Sequence, residues 1–245
     1  MNISLSAEKI AEIGGFSISN SFLTTWVAML VLIVISLLAT KNIKLIPTGI
    51  QNVVEALIES LYNLIESIAG DKGKYFFPIV TTFFLFILTS NWLGLVPGAN
   101  AIGLFRQIHG EKEFIPLFRS PSADLNTTLA LALISVTFIQ IYGVKWQGPK
   151  YFSKFVNFSS PINFYVGILE LISEIAKIIS FSFRLFGNIF AGEVLLLVIA
   201  FLIPVVAPGP FLLLEIFVGF IQAFVFSILT LVFLNVATTK HDESH

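Results

Sequence analysis

Between Ser21 and Thr40 the chain carries no charged residue, and the same holds from Tyr75 to Phe105, Leu125 to Val144, Val194 to Leu214 and Ile216 to Thr239. Each run reaches or passes the roughly 20 residues that a helix needs to cross the hydrocarbon core of a bilayer. Backbone amides and carbonyls find no water there, so such runs are confined to structures that satisfy their own backbone. The pattern predicts an all-α integral membrane protein. Composition agrees, with 12% of the 245 residues charged and a mean hydropathy of +0.90, against about 25% charged residues in soluble domains.

A formal net charge of -1 supplies no basic patch, which removes nucleic acid as a partner. With no cysteine, disulfides, thiolate zinc sites and a thiol nucleophile are excluded. His109 falls in a loop and His241 and His245 in the tail. No histidine is left inside a span, so neither a metal site nor a cofactor is expected. The leader MNISLSAEKIAEIGG has two Glu against one Lys, and the apolar run behind it is too long for a signal peptide. It is read as a retained first helix.

Taken in order, the chain reads as one membrane domain over 1–245 without a soluble domain or a clear repeat. A first span over 21–40 is an anchor with no chemistry of its own. In 50–69, Val54, Leu57, Ile58, Leu61, Ile65 and Ile68 recur at helical spacing, opposite Glu55, Glu59, Asn63 and Glu66, which predicts an amphipathic helix lying along a surface. Its polar face is acidic where membrane-surface helices are usually basic. Docking on a partner protein and plain solvation of that face both remain open.

A span over 75–97 ends at SNWLGLVPGAN, where Asn91, Gly94, Pro97 and Gly98 break the helix and Trp92 is an aromatic anchor. A polar loop runs from Arg106 to Asp124. The next span, 125–144, is led by Asp124, Asn126 and Thr127 as capping residues. With the N-terminus outside, Lys41, Lys44, Lys72, Lys74, Lys145, Lys150, Lys154 and Lys240 lie inside, against Lys9, Arg106, Lys112 and Arg119 outside. Positive charge concentrates on the cytoplasmic side, so the C-terminus is expected in the cytoplasm.

The last third is different. No strong breaker interrupts 161–203, and a helix of that length would extend roughly 64 Å across a hydrocarbon core only about 30 Å thick. It must bend near Gly187 or Gly192, or lie strongly tilted. PVVAPGP, from Pro204 to Pro210, turns the chain into a returning helix over 211–238. The pair is a long inclined hairpin.

Charged residues within spans cost at least about 2.5 to 3.5 kcal/mol at the centre and usually face a cavity or a partner. Glu170, Glu174, Lys177, Arg184 and Asn188 fall within about 80° on one helix stripe. Glu174 and Lys177 also suit a simple local ion pair, and Glu170 suits an ordinary place near a helix start. Glu193 lies about half a turn round from Arg184 and 13 to 14 Å further along, so the two should not pair. Glu215 and Gln222 share a face of the returning helix that can meet Glu193. Carboxylates in one poorly solvated site compete for a proton, which suits a proton path. Arg184 stays charged and cannot relay one, but it can hold a fixed field.

FRLFGNIFAGE, from Phe183 to Glu193, closely resembles the signature of subunit a of the F-type ATP synthase, with support from NWLGLVPG at Asn91, PSADLNTTLALAL at Pro121 and IQAFVFSILTLVFL at Ile221. The resemblance covers about 75–239. It implies a non-catalytic stator that carries ions to and from carboxylates of a rotating c-ring, with peripheral-stalk b subunits and the lipid bilayer as further partners. It also implies that Arg184 separates two aqueous half-channels and draws a deprotonated ring carboxylate. Glu193, Glu215, Gln222 and Asn188 would then serve the outer side or face the ring, and Glu170 the inner half-channel. Many relatives set a histidine against the glutamate where this chain has a second carboxylate. The ion is expected to be a proton ahead of sodium, in a bacterial plasma (inner) membrane, with a thylakoid membrane as the second placement. A free-standing channel or secondary transporter is the alternative. An intramembrane hydrolase ranks last, since the chain has no cysteine, no HExxH and no buried histidine base.

Overall fold

The computed structural model describes residues 8–13, 16–96, 102–108, 111–155, 160–203 and 208–239. The expected breakers Pro97 and Gly98, the centre of the Pro204–Pro210 turn, His109, His241, His245 and Lys240 lie outside them, as does most of the leader. The long helices are α1 (Asn20–Thr40), α2 (Ile50–Ala69), α3 (Gly73–Gly94), α4 (Leu125–Gln147), α5 (Pro161–Leu202) and α6 (Pro208–Thr238). Five segments are long and apolar enough to cross a membrane, with α2 and α3 counted together as one.

Two short hairpins stand beside the helices and leave the all-α class in place. β1 (Lys9–Ile13) pairs antiparallel with β2 (Phe16–Ser19), and β3 (Gly103–Ile108) pairs with β4 (Glu111–Pro116). The second hairpin occupies much of what reads as a polar loop. Its backbone lies outside the helical bundle and is satisfied by strand pairing, register Gly103↔Pro116 to Ile108↔Glu111, in place of helix bonds.

Polar side chains set the helix starts. Ser19 Oγ accepts from the Phe22 amide at 3.3 Å, Asp124 Oδ1 from the Asn126 amide at 3.0 Å, and Ser160 Oγ from the Ile162 amide at 3.4 Å, just ahead of Pro161. Each satisfies an amide the helix itself cannot. Gly70, at φ 56°, ends α2 in a conformation that side-chain-bearing residues rarely adopt. This lets a single 3₁₀ turn, Gly70–Lys72, connect α2 to α3. α5 is an unbroken helix of 42 residues, about 63 Å long. Neither Gly187 nor Gly192 interrupts it.

α6 packs against α3, α4 and α5, α4 also packs against α5, α1 leans on α3, and α2 lies against α3 and α6. One core cluster gathers Phe83, Phe84, Ile87, Ala132, Phe181, Leu185, Ile189 and Phe226, and a second gathers Ile65, Phe76, Val80, Ile139, Tyr151, Leu231 and Leu234. Within α2, Leu61 and Ile65 are buried while Glu55, Glu59, Asn63 and Glu66 are exposed. Buried hydroxyls join the long helices, Thr128 to Ser182 at 3.1 Å and Ser135 to Thr230 at 2.8 Å. Small polar residues at such contacts permit close approach and bond across helices where lipid offers no partner. The outward faces are apolar, including Leu30, Ile33 and Leu37 on α1 and Ile172, Ile175, Ile179 and Phe183 on α5.

After α4 the chain makes a 3₁₀ segment, Gly148–Lys154, that wedges between α4 and α5. The Tyr151 ring occupies the place a Cβ on Gly143 would take, and the Phe155 carbonyl does the same at Gly167. The Tyr151 hydroxyl donates to Gln140 Oε1 at 2.7 Å. Gly143→Val is therefore expected to destabilise the bundle by about 1–3 kcal/mol, read as a lower thermal unfolding midpoint in detergent. An unchanged midpoint would show that Tyr151 is not held there.

Candidate functional site

The charged groups of α5 and its neighbours divide into three places along the helix. At the C-terminal end of α5, Glu193 and Glu215 line one cavity of about 270 Å³ with Asn91, Gly94, Ser120, Ile189 and Leu212 among its walls. α3 fixes α6 beside it, for Asn91 Nδ2 donates to the Gly219 carbonyl at 3.0 Å and Trp92 Nε1 to the Ile216 carbonyl at 3.2 Å. Trp92, read from the sequence as an anchor, is thus also a clamp on α6. The Glu215 carboxylate sits where a Cβ on Gly192 would be, so the absence of a side chain there seats the acid between the two helices. Asn91 Oδ1 and Ser120 Oγ are buried without a protein hydrogen bond. The walls are mostly apolar, but these few polar groups give water molecules partners in a space large enough to hold several.

Glu193 does not stand alone. Arg119 Nε donates to Glu193 Oε2 at 3.2 Å, with side-chain exposures of 7% and 24%. Arg119 lies in the segment between β4 and α4. Its amide donates to Thr24 Oγ1 of α1 at 3.2 Å, and its guanidinium rests over the Phe190 ring at 5.9 Å. Sequence reasoning missed this residue, because Arg119 read as one of the outside loop charges. The available signal was an intramembrane Glu193 with no basic residue at i±3 or i±4, and an arginine two residues ahead of PSADLN.

About 13 to 14 Å back along α5 lies Arg184. It is exposed, its Nη2 donates to Ser180 Oγ at 3.1 Å, and among the described residues no carboxylate pairs with it. Gln222 lies with it around a small recess formed by Phe181, Leu185 and Phe226. Gln222 therefore accompanies Arg184 and not Glu193, whereas Glu215 of the same helix meets Glu193. Asn188, one turn beyond Arg184, is exposed.

The third place is about 21 Å from Arg184, towards the start of α5. Lys154 Nζ lies 3.3 Å from Glu170 Oε1 and 3.4 Å from Glu174 Oε1, and Lys177 Nζ lies 2.9 Å from the same Glu174 oxygen. The Glu174–Lys177 contact is part of this larger cluster. Burial opposes the Lys154 charge, but Tyr151 and the carboxylates of Glu174 and Glu170 outweigh it and hold its ammonium above the ordinary lysine value. The single stripe drawn from helical angles thus has two characters, half-buried or buried at Glu170, Glu174 and Lys177, exposed at Arg184 and Asn188.

Long apolar helices carrying ionisable groups along one hairpin define a multi-pass membrane protein. A sequence profile described as ATP synthase A chain matches residues 22–235. Proteins named ATP synthase subunit a are 36% identical over 227 residues in Syntrophobacter fumaroxidans, covering 92% of this chain and 87% of that one, and 36% over 214 residues in Geobacter sulfurreducens, covering 86% and 84%. A third, from Desulfosudis oleivorans, is 37% identical over 214 residues, covering 85% and 83%. The chain belongs to the ATP synthase subunit a family.

Proposed function

We propose that the chain is the proton-translocating stator subunit of a rotary F-type ATP synthase, with two half-channels that load and unload carboxylates of the c-ring. The observation that carries this reading is Arg184, a permanent charge exposed on an apolar helix face with no acidic partner among the described residues. A charge so placed in a membrane is costly unless a partner meets it. A carboxylate on a neighbouring chain supplies that partner.

The groups on either side of Arg184 fit the two half-channels. A proton arriving from outside passes Glu193 and Glu215, neutralises a ring carboxylate and frees it from Arg184 to move into lipid. After nearly a full turn the proton leaves inward past Glu170. Gln222 and Asn188 flank Arg184 where the ring passes. Each charge crossing about 100 mV yields about 2.3 kcal/mol, and the chain itself catalyses no reaction. The b subunits of the peripheral stalk hold it in place. The long α5 lies inclined along the ring, α2 lies at the membrane surface, and the N-terminus faces outward from a bacterial plasma membrane, with a thylakoid membrane as the second placement.

Glu193→Gln combined with Glu215→Gln tests the outer path. ATP-driven proton pumping by the whole complex in vesicles is expected to slow about a hundredfold, the scale on which positioned proton-transfer groups act. Undiminished pumping would remove these carboxylates from the path. Ion flux through the purified chain alone would favour a free-standing channel or transporter.

A further inference from the structure

Two carboxylates share the outer cavity, but they are not equivalent. Glu193 has the Arg119 guanidinium at 3.2 Å. Glu215 is 3% exposed, has no ion pair among the described residues, and rests against the bare backbone of Gly192. Arg119 is itself buried, and the groups that hold it include Glu193, the Phe190 ring and, through its amide, Thr24. A buried arginine is always charged, so it acts as a fixed counter-charge for one acid of the pair.

We propose that Arg119 holds Glu193 as a permanently ionised wall of the cavity, leaving Glu215 as the one carboxylate there that exchanges the loading proton. The inference rests on the reading of this cavity as the outer half-channel. Arg119 is a positioning residue in that account, since it acts through Glu193 and touches no transported ion. With its charge removed, two close carboxylates in a poorly solvated site share a single proton, and neither titrates independently. The charged groups around the pair are few. α1 contributes none, α3 contributes none beside the cavity, and α4 begins with Asp124, whose carboxylate accepts from Ser21 Oγ at 2.8 Å and the Asn126 amide. Glu8 lies beside the start of α1, its carbonyl accepting from the Asn20 amide.

The test is the pH profile of ATP-driven pumping by the complete complex in vesicles. Arg119→Gln is expected to slow pumping about tenfold and to move the profile's midpoint alkaline by about one unit, because loss of a positive charge lets the pair keep its proton longer. Arg119→Lys should recover the native midpoint. Adding Glu193→Gln to Arg119→Gln should also recover it, since a neutral amide needs no counter-charge, and the non-additivity measures the coupling. A native midpoint in Arg119→Gln, or no recovery in the double variant, overturns the proposal and leaves the arginine a packing role. Glu215→Gln in the same vesicles separates the two levels. Normal pumping in Glu215→Gln sinks the loading-site reading itself. Lost pumping there, with a native midpoint in Arg119→Gln, sinks only the role of Arg119.

Discussion

Arg184→Ala is expected to abolish ATP-driven proton pumping while the chain stays assembled in its complex. The two halves of that result have separate causes. Assembly should survive because Arg184 is exposed and its bond to Ser180 lies within one helix, one turn apart. Removing a charge from a span also relieves a cost of at least about 2.5 kcal/mol on insertion scales. Pumping should fail because nothing else near the middle of α5 supplies a permanent positive charge. Lys177 is the next cation on the helix, seven residues away and paired with Glu174 at 2.9 Å. Without the barrier, protons should pass between the two half-channels, measured as a passive leak in vesicles once ATP is withheld. Arg184→Lys is a sharper version, since it keeps the charge but loses the planar fork that grips a carboxylate. Native coupling in Arg184→Ala would end the stator reading.

The sequence made the helical class legible because lipid leaves a chain few options, and a run without charges declares itself at any position. The family was legible from eleven residues around Arg184. The pairing of charges was less so. Helical angles placed Arg184 and Glu193 on different faces, and the structure gives them different company. Angles on one helix said nothing of what the other elements bring, however. Arg119 reaches Glu193 from a segment 74 residues away in sequence, and Lys154 reaches Glu170 from a 3₁₀ turn that reads as a plain loop. The β3–β4 hairpin was illegible because neither GLFRQI nor EKEFIP alternates polar with apolar residues, the pattern that marks a half-buried strand. Glycines carried a signal that composition hides. Gly143, Gly167, Gly192 and Gly219 each stand where another group presses on the backbone, and in a sequence they are indistinguishable from Gly187, which meets nothing.

Gly192→Ala is expected to lower pumping about a hundredfold, nearly as severely as removing the acid it faces. An added methyl would fall on the Glu215 carboxylate, and Glu215 cannot simply step aside. α6 is pinned beside the cavity by Asn91 and Trp92, bonded to the carbonyls of Gly219 and Ile216 at 3.0 and 3.2 Å. The helices must separate, at a cost of about 1–3 kcal/mol for overpacking, or the carboxylate must swing out of the cavity and lose its place opposite Glu193. Either outcome misplaces a proton-exchanging group by about 1 Å or more, and misplacement on that scale costs about a hundredfold in positioned chemistry. Shortening the acid tells these apart. In a Gly192→Ala background, Glu215→Asp withdraws the carboxylate by one methylene and should restore part of the lost pumping, whereas Glu215→Ala should restore the packing alone. Native pumping in Gly192→Ala would mean that the acid is not seated on α5 at all, and the close approach of the two helices would then have no part in proton loading.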